Sequence, residues 1–102
     1  MKILICGGRD YDDRTSFYYY MDDLAKLYGR PITIIEGGAR GADRMAQEFA
    51  KADGYDLETY PADWKKHGKA AGPIRNKQMI DEGKPDLVVA FPGGKGTQKV
   101  VS

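Results

Sequence analysis

The sequence has little of what a disulfide framework, a metal centre or a membrane segment would need. Its one cysteine, Cys6, has no internal disulfide partner, which favours a reducing, intracellular setting, so we expect a cytoplasmic protein. His67 is the one histidine, so the chain lacks a metal-ligand set and a Ser/His/Asp arrangement, and we expect no metal and no cofactor. No apolar run approaches the length that crosses a bilayer.

Charge of either sign is not in excess either. The chain has 16 Lys and Arg against 15 Asp and Glu, a net charge of +1. A protein with general affinity for nucleic acid would carry a basic excess, so nucleic acid is not the expected partner, although a local basic pocket is compatible with this balance. Hydrophobic residues make up 41% and charged residues 30% of the 102 residues, which predicts one globular domain.

Glycine, in contrast, is abundant and clustered directly after apolar runs. Three glycine turns each follow a predicted strand: Cys6-Gly7-Gly8-Arg9, Gly37-Gly38-Ala39-Arg40-Gly41-Ala42-Asp43 and Pro92-Gly93-Gly94-Lys95-Gly96-Thr97. Glycine lets a ligand approach the main chain closely. The free N–H groups and positive dipole end of a following helix favour an anion, usually phosphate. Three such turns are a stronger signal than one.

Strands and helices alternate along the whole chain. The predicted strands are Lys2–Cys6, Ile32–Glu36, Leu57–Tyr60 and Asp86–Phe91. The predicted helices run from after Asp12 and Asp13 to Tyr28, over residues 42–53, and from the region of Pro73 through residue 82, with a long polar loop from Pro61 to Lys69. Alternation of this kind predicts a parallel sheet with right-handed crossovers in a three-layer α/β sandwich. The unusual loops then share the rim at the carboxyl ends of the strands, where such sheets bind ligands.

Cationic and amide side chains are frequent on this predicted rim. The rim set is Arg9, Arg40, Arg44, Lys65, Lys66, Lys69, Arg75, Asn76 and Lys95. Arginine contacts phosphate through two donors at once, and we expect Arg75 to clamp it. Asp43 caps its own helix or accepts from a ribose hydroxyl, and Trp64 closes the core or stacks on a base. Tyr18, Tyr19 and Tyr20 form either packing with an exposed rim or a stacking surface.

Four stretches together resemble a known family. They are Gly7–Asp10, Gly37–Asp43, Gly68-Lys69-Ala70-Ala71-Gly72-Pro73-Ile74-Arg75-Asn76 and Val89–Thr97. In this order they resemble the YspA/YpsA-related branch of the SLOG superfamily, which also holds DprA and the LOG-type nucleotide phosphoribohydrolases. The resemblance covers residues 2 to about 100. It implies a single Rossmann-like domain over residues 1–102 that binds a nucleotide or a nucleotide-derived ligand, with signal sensing as one role.

The glycine turns and the resemblance give one set of candidate ligand-binding residues. The set is Gly7, Gly8, Arg9, Gly37, Gly38, Arg40, Gly41, Asp43, Arg75, Asn76, Pro92, Gly93, Gly94, Lys95, Gly96 and Thr97. The main-chain N–H groups of Gly93–Thr97 are expected to face phosphate. Arg30 precedes the second strand and is expected at the opposite rim.

Two departures from the resemblance bear on activity. LOG-type hydrolases carry a catalytic Glu at the place of Val100, so cleavage of an N-glycosidic bond, with Glu36, Asp10 or Asp43 as a substitute, stays the second hypothesis. Single-stranded DNA binding like that of DprA is the third. Family members usually continue beyond this last glycine loop through a helix and a strand. Either the sequence is a piece of a longer chain, or the sheet is truncated at the C-terminus, in which case we expect a homo-oligomer that covers Leu87–Phe91.

Overall fold

A parallel sheet organises the part of the chain that the structure, a computed structural model, describes, which is residues 1–92. Its strands are β1 (Lys2–Gly7), β2 (Thr33–Glu36), β3 (Asp56–Thr59) and β4 (Leu87–Phe91), in the spatial order β3-β2-β1-β4. The helices are α1 (Arg14–Tyr28), α2 (Ala42–Asp53), the single turn α3 (Trp64–His67) and α4 (Ala71–Asp81), with a 3₁₀ turn, Gly68–Ala70, before α4. The predicted turn Gly93–Thr97 and Val100 lie outside the described residues.

Helices cover both faces of the sheet. Ile3, Ile5 and Ile34 point to one face, where they pack in one cluster with Phe17 of α1 and Phe49 of α2. The neighbouring residues of these strands point to the opposite face, where Leu4 and Ile35 pack with Met79 of α4. Because successive side chains of a strand point to opposite faces, strands that are apolar at every position must be covered twice. The Rossmann-like three-layer sandwich predicted from the sequence is therefore confirmed.

The connections place the carboxyl ends of all four strands at one rim. The chain steps from β1 to β2 to β3 through α1 and α2, and then returns across the sheet to pair β4 with the free edge of β1. All three strand pairings are parallel. The loops that follow β1, β2 and β3 therefore meet, as the alternation of strands and helices predicts.

The segment between β3 and α4 differs from its prediction as a long polar loop. It contains α3, which begins after Asp63, whose side chain accepts a hydrogen bond from the Lys66 N–H at 3.1 Å. An aspartate at this position satisfies an N–H group that a short helix cannot pair by itself. The prediction missed α3 because one helical turn has no apolar period to detect.

The tyrosines of α1 divide between core and surface. The ring centroid of Tyr18 lies 5.6 Å from that of Phe17 and 5.8 Å from that of Phe49, whereas Tyr19 and Tyr20 are exposed. Packing with an exposed rim, one of the two interpretations of this run, is therefore confirmed. Tyr28, the last residue of α1 as predicted, is exposed.

Arg30 has a structural role at the rim opposite the glycine loops. Its guanidinium donates to the backbone carbonyls of Asp53 at 2.5 Å and Gly54 at 3.4 Å, and lies 4.4 Å from the ring centroid of Tyr55. A cation at a helix C-terminus also complements the helix dipole. Arg30 therefore stabilises the end of α2, at the rim where the sequence places it.

The strand β4 keeps part of its surface uncovered by residues 1–92. Val88 is exposed, while Val89 and Phe91 are buried against the α1 face. A homo-oligomer through Leu87–Phe91 stays a prediction, which light scattering at high protein concentration checks. Within the described residues, no helix is both long and apolar enough to cross a membrane.

The first two glycine loops are in direct contact. The carbonyl of Gly8 accepts from the N–H of Tyr11 at 3.2 Å and of Ala42 at 3.4 Å. Gly41, with a φ of +79°, lies against the carbonyls of Gly8 and Arg9, so a Cβ at Gly41 would overlap the backbone of the other loop. The left-handed φ favours glycine, and here the contact requires it as well.

We expect Gly41→Ala to lower the free energy of unfolding by more than about 2 kcal/mol, because it adds a backbone clash to the cost of a left-handed alanine. Gly68→Ala is the matched control: Gly68 has a φ of +56° and a ψ of −131°, close to the +79° and −127° of Gly41, and no atom within 4 Å of the added Cβ. It should lose less than Gly41→Ala, because only the cost of the strained backbone remains. Urea unfolding of both variants measures the difference, and equal losses would contradict the contact between the loops.

Candidate functional site

A cavity opens at the rim where β1, β2 and β3 end. Its volume is about 700 Å³, within the size range of small-molecule sites. Within residues 1–92 its lining comprises Arg9, Gly37, Gly38, Ala39, Arg40, Pro61, Ala62, Trp64 and Arg75. Segments that are distant in sequence thus contribute to one site: the loops after β1, β2 and β3, and the first half of α4.

A buried glutamate anchors the loop after β2. Glu36 is the last residue of β2 and has no solvent exposure. Its Oε1 accepts from Gln47 Nε2 of α2 at 2.6 Å and from Thr59 Oγ1 of β3 at 2.8 Å, while Oε2 accepts from the Gly38 N–H at 2.7 Å. A buried carboxylate needs such partners to offset its desolvation. Glu36 therefore links α2, β3 and the loop.

Asp43 holds the same loop from the first turn of α2. Its Oδ2 accepts from the N–H groups of Gly37 and Ala39, both at 3.2 Å. The N-cap of α2 is Gly41, which makes no side-chain cap hydrogen bond, so Asp43 does not cap its own helix in the way that the sequence suggested as one alternative. Burial, with the charge of Glu36 adding to it, raises the pKa of Asp43 to about 6.

These contacts change which groups of the loop can meet an anion. The N–H groups of Gly37, Gly38 and Ala39 all donate to carboxylates of the chain itself. A phosphate would have to displace Asp43 or Glu36 to reach them. Within residues 1–92, the cationic groups that line the cavity are instead side chains, namely Arg9, Arg40 and Arg75.

Arg75 lies across the loop. One Nη1 N–H donates to the Gly37 carbonyl at 2.5 Å, and Nε donates to Asn76 Oδ1 at 2.9 Å. A Cβ at Gly37 would overlap this guanidinium, so the absence of a side chain at Gly37 is what lets Arg75 approach. A guanidinium has more N–H donors than these two bonds use, and the charge of Arg75 also opposes the rise in the pKa of Asp43.

Arg9 and Arg40 extend the positive charge along the cavity. The Cζ of Arg9 lies 5.6 Å from the ring centroid of Trp64, within the range of a cation–π contact. Arg40 Nη2 lies 3.5 Å from Asp10 Oδ1 in a solvent-exposed ion pair, which contributes little to stability.

The other candidate residues lie around the cavity or apart from it. Gly7, Gly8 and Gly41 join the first loop to the start of α2, and Asn76 positions Arg75. Pro92 lines a different cavity of about 460 Å³ beside α1 and β4. Arg44, Lys65, Lys66 and Lys69 are exposed and do not line the described cavity. Gly93, Gly94, Lys95, Gly96 and Thr97 lie outside the described residues.

Trp64, Ala39, Pro61 and Ala62 line the cavity but were not among the candidates. Trp64 is 49% exposed, so it does not close the core. The signal that could have identified these residues is their position: Ala39 lies in the glycine turn after β2, and Pro61, Ala62 and Trp64 follow β3 at the same rim. The thiol of Cys6 lies near Asp43, and burial, followed by the charge of Asp43, raises its pKa, which keeps it from acting as a reactive thiolate.

The raised pKa of Asp43 predicts a pH-dependent stability difference. Between about pH 4 and pH 6 the folded state holds the Asp43 proton more tightly than the unfolded state does, so this residue's contribution to stability falls as pH rises through that window. Asp43→Asn keeps an oxygen for the N–H groups of Gly37 and Ala39 and removes the charge. The free energy of unfolding of Asp43→Asn should equal that of wild type near pH 4. At pH 7 it should be higher than that of wild type by up to about 3 kcal/mol.

Urea unfolding of both proteins from pH 4 to pH 8 measures this difference, in which the titration of the other groups largely cancels. The neighbouring charges, Glu36 and Arg75, are unchanged by the substitution. A stability difference that does not vary with pH would contradict the assignment.

Sequence comparisons give a matching family and a relative for this chain. The sequence profile of a family described as the YspA, cpYpsA-related SLOG family matches residues 1–67. That range includes β1 to α3 and every cavity-lining residue described above except Arg75. The Gene 61 protein of Mycobacterium phage D29 is 38% identical over 99 residues, which cover 92% of this chain and 78% of the phage protein. No solved structure matches the chain.

Proposed function

The chain belongs to the YspA, cpYpsA-related SLOG family, and we propose that it binds a nucleotide or a nucleotide-derived molecule in the cavity at the carboxyl ends of β1, β2 and β3. The observation that carries the proposal is the chemistry of the lining. Three arginines and a tryptophan surround a glycine loop, and within residues 1–92 no acidic side chain is part of the lining. Guanidinium groups suit phosphate, and an exposed indole suits a planar ring.

The arrangement of Arg75 supports a role as the phosphate clamp. Its bonds to the Gly37 carbonyl and to Asn76 fix the guanidinium at the cavity wall before any ligand arrives. A donor group that is already positioned loses less conformational entropy when it binds. Arginine also binds a phosphate through two parallel N–H groups, which lysine cannot do.

The position of the carboxylates favours binding over cleavage of an N-glycosidic bond. Both oxygens of Glu36 are occupied by hydrogen bonds inside the fold, and Asp43 lies beneath the loop, hydrogen-bonded to its N–H groups. Asp10 is exposed and paired with Arg40. A general acid has to reach the reacting group, and within residues 1–92 no carboxylate lines the cavity.

We expect nucleotides to raise the melting temperature of the protein. A ligand that binds only the folded state at about 100 times its Kd stabilises it by about 2.7 kcal/mol, which for a domain of this size raises Tm by roughly 10 °C or more. Thermal unfolding with a panel of mono-, di-, cyclic and dinucleotides at millimolar concentration measures the shift. If no member of the panel produced a shift, the proposed function would be wrong.

Arg75→Met should lower nucleotide affinity by roughly ten- to a hundredfold, because it removes a charge-assisted contact with phosphate. Arg75→Lys keeps the charge but not the paired donors, so its nucleotide affinity should lie between those of wild type and Arg75→Met. The matched control is Arg44→Met, since Arg44 is an exposed arginine of α2 that does not line the cavity. Calorimetric titration measures the Kd of wild type and of each of the three variants. Equal losses for Arg75→Met and Arg44→Met would show that general charge, not the clamp, binds the ligand.

A further inference from the structure

Trp64 is held at the cavity wall by the local structure around it. It is the first residue of α3, whose start is fixed by the Asp63 cap. The indole Cη2 lies 3.6 Å from the position that a Cβ on Gly72 would take, so the ring packs beside the first turn of α4. Even so, Trp64 remains 49% exposed and lines the cavity. A large aromatic ring in this position presents apolar surface to whatever enters.

Arg9 lies over the same ring. Its Cζ is 5.6 Å from the Trp64 ring centroid, and Arg9 is an exposed residue of the loop after β1. Two planar groups enclose a third flat ring when they are about 7 Å apart, which is twice the ~3.5 Å separation of stacked atoms. The exposed side chain of Arg9 would have to move away from the indole to admit a planar ring.

We infer that Trp64 and Arg9 form the base-binding subsite of the cavity, in which the indole stacks on one face of a nucleobase and the guanidinium covers the other. The inference rests on the proposed function and adds to it the part of the ligand that each group contacts. Trp64 and Arg9 would contact the base, and Arg75, which donates to the Gly37 carbonyl, would bind the phosphate.

Stacking by this pair predicts broad tolerance for the base. Every base has a π-face, and a guanidinium that covers this face does not contact the hydrogen-bonding edge of the base. We therefore expect purines to bind more tightly than pyrimidines through their larger stacked area, with only small differences between adenine and guanine. A ligand without a base should not use this subsite.

The sequence supplies a direct probe, because Trp64 is the one tryptophan in the chain. The test titrates the protein with adenosine, guanosine, cytidine and uridine monophosphates, and with ribose 5-phosphate and inorganic pyrophosphate as probes that lack a base. We expect the nucleotides to quench the Trp64 fluorescence and the two base-free probes to leave it almost unchanged.

Variants separate stacking from folding and from phosphate binding. Trp64→Leu keeps an apolar side chain but removes the ring and should weaken nucleotide binding by about fivefold to about 150-fold, the range that base–aromatic stacking gives. It should leave pyrophosphate binding within about twofold of wild type, which also shows that the variant is folded. Trp64→Phe should retain most of the affinity, and Arg9→Met should weaken nucleotides more than pyrophosphate. Calorimetry gives these affinities.

The outcomes distinguish this inference from the function on which it rests. If nucleotides raise Tm and depend on Arg75, but leave Trp64 fluorescence unchanged and bind Trp64→Leu as tightly as wild type, the base subsite is overturned and the proposed function stands. Equal weakening of nucleotides and pyrophosphate by Trp64→Leu would also overturn the subsite. If no nucleotide binds, both are overturned.

Discussion

The glycine loop after β2 keeps its shape because two buried carboxylates bind its N–H groups. Glu36 accepts from Gly38, and Asp43 accepts from Gly37 and Ala39. Burying two acidic groups so close together is unfavourable, and the raised pKa of Asp43 reflects this. The hydrogen bonds to the loop offset part of that cost and fix the Gly37 carbonyl, which accepts a hydrogen bond from Arg75. The glycine loop that lines the cavity and the position of the Arg75 guanidinium therefore depend on the same few contacts.

The parallel sheet determines which segments can line the cavity. Because β1, β2 and β3 run in the same direction, the loops that follow them meet at one rim. The return to β4 passes through α3 and α4 and brings Trp64 and Arg75 to the same rim. The close contact of Gly41 with the Gly8 carbonyl then fixes the first loop against α2. No local interaction alone would hold Arg9 near Trp64.

The sequence predicted features whose causes are local. Helix α2 was predicted with its observed bounds, 42–53, because its apolar period is regular and Gly54 ends it in a left-handed conformation. The rim position of Arg9, Arg40 and Arg75 followed from strand alternation. The roles of Asp43 and Gly37 could not be predicted, because Asp43 accepts from N–H groups of the loop and Gly37 contacts Arg75 of α4, and both contacts depend on how α2 and α4 pack. The sequence left Trp64 open between closing the core and stacking on a base, because α3 has one turn and its place depends on α4.

The internal pairing of the loop has a consequence for selectivity. Since Asp43 and Glu36 already occupy the N–H groups of Gly37, Gly38 and Ala39, a free phosphate gains only side-chain contacts with arginines in an open, hydrated cavity, where salt screens them. A nucleoside without phosphate gains only the stacking surface of Trp64. Under the proposed function, a nucleotide gains both contributions while losing its translational freedom once, so it binds far more tightly than either part. A cavity of this kind would bind inorganic phosphate weakly and the complete ligand tightly.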